Sequence, residues 1–425
     1  MTLAQVPHPQ DINLGDPLLF ERAEAHDALR ILRREAPVHW NPGTEEVNGF
    51  WSLVKYADIL YVSRNPELFI SSKGIAGSGL RHPERAADYE GPDSVSIITM
   101  DPPRHVKLRR LVNKGFTPRA VNAMESQIRR ITNEILDGIA DKSSCDFVLD
   151  VSSQLPLAVI CGMLGLQREV WPLMFELTNS VLGSGDPEYQ KMASDAEPGS
   201  DEAARQTSTA GWMRMGGFFK EVLDKRRLEP TGDLISILIE AEVDGEKLTE
   251  NDILEFCFLL LLAGNETTRN AISGGLQVLC EHPQERARLQ ADMSLIDSAV
   301  EEILRWTSPL HHMTREVTAD VEIRGQKIRA GEKVLMWYPS ANRDEDVFED
   351  PYRFDITREP NEHLAFGIGE HFCLGAGFAR KEMKVMFEEL FRRFPDIQIE
   401  GPAERLRSNF INGIKHIRVS YTPER

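Results

Sequence analysis

The chain has few cysteines, and their placement excludes two kinds of site. None of the five belongs to a Cys-x-x-Cys pair, and they lie far apart, at Cys145, Cys161, Cys257, Cys280 and Cys373. Zinc sites and the disulfide frameworks of secreted domains need clustered or regularly spaced cysteines. The sequence therefore predicts neither kind of site, and it favours a reducing compartment such as the cytoplasm.

A long apolar run is also missing. The most apolar stretch, Phe256–Ala263, reaches only about half of a membrane span when it is extended back to Ile253. The N-terminal stretch MTLAQVPHPQDINLGDP has no basic segment followed by an apolar one. The sequence therefore predicts neither a signal peptide nor a membrane anchor.

Positive charge is in deficit along the chain. The 49 Lys and Arg residues are outnumbered by 67 Asp and Glu residues, which gives a net charge of −18. Such an acidic protein is a poor general binder of nucleic acid, because phosphates attract basic surfaces. With 425 residues and an ordinary composition, the chain can form a deep core that encloses a small molecule.

The spacing of apolar residues predicts a mostly helical protein. The longest predicted helix begins near Thr249, a favourable N-cap, and continues to Leu279 before Pro283. Its roughly 30 residues would measure about 45 Å, enough to cross the whole molecule. Further helices are expected over Leu295–Trp306 and Gly377–Phe394.

Short strands and two loops complete this pattern. Strands are predicted at GFWSLVKY, VEIRG, QKIRA and KVLMWY, and the tail FINGIKHIRVSY alternates in the manner of a hairpin strand. Residues 71–98 are rich in glycine, serine, proline and charge, which is typical of a loop. Such a long loop in a compact enzyme is usually functional or mobile. Residues 188–212 are interpreted as a second flexible connection.

One cysteine, Cys373, has unusual neighbours in the stretch FGIGEHFCLG (Phe366–Gly375). Three glycines, two phenylalanines and a histidine surround it. A free cysteine is most often a small buried hydrophobe. This stretch alone therefore leaves the role of Cys373 open.

The middle of the longest predicted helix is also unusual. In LLAGNETTRN (Leu261–Asn270), polar residues follow a purely apolar run. One interpretation is a helix that leaves the core, with Glu266 and the threonines exposed. The other is a helix distorted over a ligand, where Gly264 admits a flat group and Thr267 bonds to a carbonyl or to the ligand. An acid beside an alcohol would then form a proton relay.

Five segments, in order and at matching distances, resemble the motifs of the cytochrome P450 family. FGIGEHFCLG fits the cysteine loop F-G-x-G-x-H-x-C-x-G, and AGNETT fits the oxygen-activating segment A-G-x-D/E-T-T. DPPRHVKLRR fits the haem-contact helix H-x-x-x-R. Glu302 and Arg305 in EEILRW fit the E-x-x-R pair, and Arg353 in DPYRF fits the third member of that triad. The resemblance covers almost the whole chain.

The resemblance implies a fold that is mainly α with small β-sheets. Haem would lie between the long central helix and the helix that follows the cysteine loop. Residues 1–425 would form a single domain, with a β-rich part at roughly 1–70 and 318–340 and helices elsewhere. Glu302, Arg305 and Arg353 would form a buried charge network that stabilises the core.

The resemblance also implies the cofactor and the residues that hold it. Haem b would be bound through Cys373 as the axial thiolate ligand of iron. Such a ligand pushes electron density towards the metal and favours cleavage of the O–O bond. The residues implied in cofactor binding are His105, Arg109, Ala263, Gly264, Arg315, Phe366, His371, Cys373 and Gly375. Of these, His105, Arg109, Arg315 and His371 would bind the propionates.

The implied activity is a monooxygenase reaction that inserts one oxygen atom of O2 into a hydrophobic small molecule. Glu266 and Thr267 would be the catalytic residues that relay protons. Electrons would come from NAD(P)H through a separate ferredoxin reductase and ferredoxin, and the protein would be a monomer. The ferredoxin would dock on a basic surface drawn from Arg104, Lys107, Arg109, Arg110, Lys114, Arg119, Arg380 and Lys381.

The substrate is the least determined part of the prediction. A steroid, a terpenoid or a branched lipid is expected, because AGNETTRN and SNFINGIKH resemble the bacterial hydroxylases of those compounds. The alternatives are a hydroxylase of aromatic or monoterpene hydrocarbons and a haem-thiolate binding protein without turnover. The predicted substrate pocket consists of Ile97, Ile98, Leu260, Ala263, Leu310, His312, Met313 and Ile411.

Overall fold

Helices make up most of the computed structural model, which describes residues 8–44, 47–75, 80, 96–192, 195–243 and 245–424. The α-helices in these ranges are α1 (Pro17–Glu21), α2 (Ala25–Glu35), α3 (Tyr56–Arg64), α4 (Arg104–Val112), α5 (Pro118–Asp137), α6 (Gln154–Met163), α7 (Trp171–Leu182), α8 (Asp201–Leu228), α9 (Leu234–Glu240), α10 (Glu250–Glu281), α11 (Pro283–Ala291), α12 (Ile296–Thr307), α13 (Tyr338–Ala341) and α14 (Ala376–Arg393). Among the described residues, no helix is long and apolar enough to cross a membrane.

The strands are short and belong to small sheets. They are β1 (Val38–Asn41), β2 (Phe50–Leu53), β3 (Phe69–Ile70), β4 (Ser144–Asp146), β5 (Glu242–Val243), β6 (Glu246–Lys247), β7 (His312–Val317), β8 (Val321–Ile323), β9 (Gln326–Ile328), β10 (Lys333–Trp337), β11 (Gln398–Ile399), β12 (Glu404–Arg405), β13 (Ile414–His416) and β14 (Arg418–Ser420). The largest sheet has the order β1-β2-β10-β7-β3.

The predicted central helix is confirmed as α10. Thr249 is its N-cap, and a capping box joins the Thr249 side chain to the backbone of Asp252 and the Asp252 side chain to the backbone of Thr249. The helix runs for 32 residues. It contacts α6, α7, α12 and α14, and both large hydrophobic clusters include its side chains. A site along α10 is therefore supported by helices that pack against it and by both large hydrophobic clusters.

The largest sheet joins two distant parts of the chain. β2 pairs in parallel with β10, and Trp51 lies opposite Val334. This arrangement refines the predicted β-rich part, because β7 begins at residue 312, before the predicted 318. The first 70 residues also contain α1, α2 and α3 beside their three short strands, so the term β-rich does not describe that segment.

The prediction of a flexible connection over residues 188–212 is wrong from residue 201 onwards. Ser200 is the N-cap of α8, and its hydroxyl accepts a hydrogen bond from the Ala203 N–H. Asp201 and Glu202 follow in the first turn, where negative charge stabilises a helix. These start signals outweigh the polar composition of the segment. The predicted 71–98 loop lies mostly outside the described residues, which include only 71–75, 80 and 96–98 of it.

The tail does not form a hairpin between its own two strands. β13 pairs with β12, whereas β14 pairs with β11 and β4. Only Ile417 separates β13 from β14. One residue cannot reverse the chain, because even the tightest common hairpin loop contains two residues.

Candidate active site

A cavity lies between α10 and the segment that runs from the cysteine loop into α14. The residues that α10 contributes recur at intervals of three and four positions, which places them on one face of the helix. They are Phe256, Leu259, Leu260, Ala263, Gly264, Thr267, Thr268 and Ala271. The opposite wall includes Ala365, Phe366, Gly367, Ile368, His371, Cys373, Leu374, Gly375, Phe378, Ala379 and Glu382.

The cysteine loop presents Cys373 to this cavity. The Cys373 N–H donates to the Phe366 carbonyl over 2.9 Å, which closes the loop. Gly367 and Gly369 have φ values of 68° and 78°, a conformation that favours glycine. A Cβ on Gly369 would also lie 2.5 Å from the Ser63 carbonyl oxygen. Two of the three glycines are therefore required by the backbone itself.

Gly375 contributes in a different way. Its φ is −84°, and a Cβ there would meet no protein atom within 4 Å. Its backbone N–H instead points to the Cys373 sulfur, as does that of Ala376. Burial raises the pKa of the Cys373 thiol, and these two N–H groups together with Arg109 and Arg380 oppose that rise. These four contacts favour the ionised sulfur, but burial outweighs them, and the pKa of the thiol stays above its usual value.

Cations and imidazoles surround one edge of the cavity. Arg315 is buried at 7 % exposure, and its Nη1 donates to the Thr314 carbonyl over 2.7 Å. His105 is also buried, and its Nδ1 has no partner among the described residues. The His371 ring lies 4.1 Å from the His105 ring. Burial, assisted by Arg315, His105 and Arg109, lowers the pKa of His371 to about 3.

These residues fit the predicted cofactor. No ion pair joins His105, Arg109, Arg315 or His371 to a carboxylate in the described part of the chain, although Arg315 is deeply buried. Buried cations are normally paired, so the arrangement calls for an anionic partner. A flat apolar group with two carboxylates would satisfy it, and Cys373 lies on the same cavity wall. Haem has these properties.

The polar segment of α10 remains in the core. Asn265, Glu266 and Thr268 are buried, so the interpretation of a helix that leaves the core is wrong. Thr267 lines the cavity, and its hydroxyl donates to the Ala263 carbonyl over 2.7 Å. Ala263 lines the cavity as well. The Thr267 oxygen is thereby left as an acceptor for a group inside the cavity.

Glu266 does not lie where a relay to solvent would require it. Its side chain forms a buried pair with Arg269, and it is only 1 % exposed. Arg269 also donates to Asn179 Oδ1 over 3.0 Å. Glu266 is absent from the cavity wall, and burial raises its pKa. The expected link from Thr267 through Glu266 to solvent is therefore not formed in this structure.

Gly264 serves the packing of two helices. It lines the cavity, as predicted for a contact with a flat group. A Cβ at this position would lie 2.7 Å from Cδ1 of Ile160. The glycine therefore allows α6 to approach α10 closely, a role that the sequence did not indicate.

The buried charge network differs from the predicted triad in one member. Arg305 binds both carboxylate oxygens of Glu302, at 2.7 and 2.8 Å, and both residues have no solvent exposure. The third side chain is Arg358, whose Nε lies 3.3 Å from Glu302 Oε1. The Arg353 side chain is 62 % exposed and pairs with Asp355. Arg353 contributes only its carbonyl, which accepts from Arg305 and Arg358.

Six of the eight predicted substrate-pocket residues line the cavity, namely Ile97, Ile98, Leu260, Ala263, Leu310 and Met313. His312 does not, because it is completely buried between the rings of Trp337 and Phe410. Ile411 lies behind the wall, where it pairs with Leu310 through an isolated β-bridge.

Several cavity residues were not predicted from the sequence. Phe256, Leu259 and Thr268 belong to the same face of α10 as Ala263, so the helical period could have identified them. Glu382 could not be identified in this way. It is 3 % exposed, its Oε2 has no partner among the described residues, and burial raises its pKa to about 8.

The predicted basic surface is partly neutralised by local pairs. Arg104 binds Asp252, Arg380 binds Glu301, and Lys381 binds Glu125. Arg109 donates to the Phe372 carbonyl, and Lys107 has a partner as well. Arg110, Lys114 and Arg119 are exposed, and none of them forms an ion pair with another described residue. The surface available to a partner is therefore smaller than the sequence suggested.

Comparison with known proteins decides the family. The sequence profile described as Cytochrome P450 matches residues 78–409, well over half of the chain. The chain belongs to the cytochrome P450 family. Membership implies haem with a cysteine thiolate ligand and O2 as co-substrate, and it makes this protein a haem-thiolate monooxygenase. The predicted fold class, mainly helical with small sheets, is confirmed.

Related P450 proteins match along almost their whole lengths. A methyl-branched lipid omega-hydroxylase of Mycobacterium bovis is 42 % identical, over 97 % of this chain and 95 % of that protein. A steroid C26-monooxygenase of Mycolicibacterium smegmatis is 36 % identical, over 97 % and 96 % of the two chains. The structure of a Mycobacterium marinum cytochrome P450 in complex with pseudoionone superposes with a TM-score of 0.87, at 34 % identity, and covers 99 % of this chain and all of that one.

Proposed function

We propose that this cytochrome P450 hydroxylates a branched lipid, a steroid or a terpenoid. The observation that carries this proposal is an apolar wall, which we define as Ile97, Ile98, Phe256, Leu259, Leu260, Ala263, Pro309, Leu310 and Met313. It contains no charged side chain, so it favours a substrate that presents a hydrocarbon segment to the reacting centre. The names of the M. bovis and M. smegmatis relatives support the first two of these classes.

The residues of the chain have separate roles in the proposed reaction. Haem bound to Cys373 would supply oxygen activation. The apolar wall would orient the substrate and exclude water, which protects the reaction from wasteful release of reduced oxygen. His105, Arg109, Arg315 and His371 would bind the propionates. Thr267 would hold a water or a protonated oxygen at its Oγ1, because its own proton is directed to the Ala263 carbonyl.

Substrate binding and turnover test this proposal directly. The iron spin state is titrated with a methyl-branched fatty acid, a steroid, an oxygenated terpenoid and an aromatic hydrocarbon. Hits are then incubated with NADPH, ferredoxin and ferredoxin reductase, and products are identified by mass spectrometry. We expect a saturable spin-state change and a hydroxylated product with at least one of the first three. A response to the aromatic hydrocarbon alone would favour the alternative class, and binding without product would favour a non-catalytic protein.

Replacement of Thr267 tests the proton-transfer role. In Thr267→Ala, we expect electrons to be diverted from product to hydrogen peroxide, so that product per NADPH falls by up to about 100-fold, the low end for positioned proton-transfer groups. Thr267→Ser keeps the hydroxyl and is expected to retain most of the coupling. The assignment fails if Thr267→Ala couples electrons to product as well as the unchanged protein does.

We further propose that a small acidic ferredoxin docks on the exposed cations of α4 and the residues after it. Arg110, Lys114 and Arg119 are exposed, and Val106 and Phe372 add exposed apolar surface. Complementary charge of this kind steers association, and the attraction weakens with salt.

The proposal of a single domain over 1–425 is supported by the largest sheet. Its strands β2 and β10 come from distant parts of the chain and pair with each other.

Salt dependence of electron transfer tests the docking surface. We expect the rate with ferredoxin to fall by about tenfold or more between low and high salt. A double replacement of Arg110 and Lys114 by Gln should lower the low-salt rate and flatten this dependence. Lys327→Gln removes an exposed cation from β9 and should change neither. Equal behaviour of the two variants would exclude the proposed surface.

A further inference from the structure

Arg380 is held in one position on the cysteine side of the cavity. It lies on α14, seven residues after Cys373. Its Nε and Nη2 bind the two carboxylate oxygens of Glu301 at 2.6 and 2.8 Å. Its guanidinium carbon also lies 4.5 Å from the centre of the Phe366 ring. Two parallel hydrogen bonds to one carboxylate and a stacked ring fix the orientation of the arginine side chain. A lysine could not form this arrangement.

Glu301 is itself fixed by a second donor. His363 Nε2 lies 3.1 Å from Glu301 Oε2. The other ring nitrogen, Nδ1, accepts from the Ala365 N–H over 3.2 Å, so the proton of the neutral imidazole is on Nε2 and is donated to Glu301. Burial opposes ionisation of Glu301, but hydrogen bonds from Arg380 and His363 lower its pKa to about 2. The carboxylate is therefore charged at every ordinary pH.

This group of three side chains, Arg380, Glu301 and His363, connects to the metal ligand through Phe366. The Phe366 carbonyl accepts from the Cys373 N–H over 2.9 Å, and its ring lines the cavity beside Cys373. The charge of Arg380 favours the ionised sulfur of Cys373. The positive end of the Arg380–Glu301 pair therefore acts on the sulfur, and the negative end is anchored at α12.

We propose that Arg380, oriented by Glu301 and His363, is a positioning residue that raises the reduction potential of the bound haem. The proposal rests on the haem-thiolate site described above. Reduction would add an electron to the haem iron and its cysteine ligand, so a fixed positive charge nearby would stabilise the reduced state. Residues that contact a metal ligand change the reduction potential of the metal in this way. For haem, hydrogen bonds and burial around the axial ligand are among the features that set the potential.

The alternative role for Arg380 is the one expected from the sequence, a docking cation for ferredoxin. The bidentate pair with Glu301 speaks against it, because a partner carboxylate would have to compete with one already in place. The two roles differ in a measurable way. A docking residue changes kinetics only when the partner is present, whereas a tuning residue changes the potential of the isolated haem protein.

The test is a spectroelectrochemical titration of the isolated haem protein without ferredoxin. Arg380→Gln is expected to shift the midpoint potential to more negative values, and Glu301→Gln to more positive values, because it leaves Arg380 uncompensated. A tenfold change in the ratio of reduced to oxidised protein corresponds to about 59 mV for one electron. Arg380→Lys should give a shift between the unchanged protein and Arg380→Gln.

Lys381→Gln is the matched control. It removes one positive charge from the next residue of α14, but Lys381 binds Glu125 at 2.5 Å on a different side of the helix. Its potential should equal that of the unchanged protein. Opposite shifts in Arg380→Gln and Glu301→Gln support the proposal, and they would not arise from a loosened structure. The proposal is overturned if the midpoint potential shifts equally in Arg380→Gln, Glu301→Gln and Lys381→Gln, or if it shifts in none of them.

The carbon-monoxide difference spectrum of the reduced protein separates failure of this proposal from failure of the proposed function. A thiolate spectrum in the unchanged protein and in each variant shows that the haem site is intact. Unchanged potentials then overturn the role of Arg380 alone. Absence of the thiolate spectrum in the unchanged protein overturns the site itself. Should Arg380→Gln fail to retain haem, the positive shift of Glu301→Gln still decides the question.

Discussion

Cys373→Ser is expected to abolish the thiolate spectrum and to lower product formation by more than about 100-fold. Loss of a residue that only supports a metal ligand costs about 10–100-fold, and Cys373 is the ligand itself. The reason is chemical, because iron in this site needs an ionised ligand and a serine hydroxyl does not ionise near neutral pH. Cys373 is the single cysteine among the residues that line the described cavity. The measurements are the reduced carbon-monoxide difference spectrum and product formation with a reductase system.

Cys280→Ser provides the control for this experiment. Cys280 is a free, partly buried cysteine near the end of α10, where Arg286 Nη1 lies 3.5 Å from its sulfur. It does not line the cavity. We expect Cys280→Ser to keep both the spectrum and the activity. A thiolate spectrum that persists in Cys373→Ser would show that another residue binds the iron.

Replacement of Glu302 is expected to have the largest effect on stability. Glu302→Leu leaves Arg305 and Arg358 buried without their carboxylate, and breaking such a pair costs roughly 3–5 kcal/mol. Arg358→Ala should cost about 1.5–3 kcal/mol, because it removes hydrogen bonds from a charged guanidinium to Glu302 and to two backbone carbonyls, while Arg305 stays paired. Both values refer to the free energy of unfolding in urea titrations.

Arg353→Ala distinguishes the observed network from the predicted one. The Arg353 side chain is mostly exposed, so its loss should change the free energy of unfolding by no more than about 0.5 kcal/mol. Its carbonyl, which accepts from Arg305 and Arg358, is unaffected by this replacement. If Arg353→Ala were as damaging as Arg358→Ala, the network drawn from the structure would be incorrect.

Local signals in the sequence predicted the main elements well. The N-cap Thr249 with Asp252 gave the start of α10, and Gly367 and Gly369 marked the turns around Cys373. Such signals depend on contacts within a few residues, so they can be read from neighbouring letters. The same approach failed at residues 201–212, because composition suggested a loop while Ser200 and the acidic first turn specified a helix.

Side-chain partners were harder to predict, because they join segments that are distant in the chain. Arg358 binds Glu302 across 56 positions, and Arg380 binds Glu301 across 79. No periodicity encodes such pairs, and a motif with Arg at 353 pointed to a neighbouring but exposed residue. The Glu266–Arg269 pair is different, because it joins positions i and i+3 of α10, and what the sequence did not show is its burial beside Asn179 of α7.

The sequence by itself determined the family, the cysteine that faces the cavity, the central helix and the mainly apolar character of the pocket. Ordered motifs and helical periods carry that information along the chain. Only the tertiary structure decided which cations are neutralised, which arginine completes the Glu302 network, and that the Glu266–Arg269 pair is buried beside α7. These features depend on the approach of distant segments. Of several chemically similar side chains, only the one that comes within about 3 Å of its partner forms the hydrogen bond.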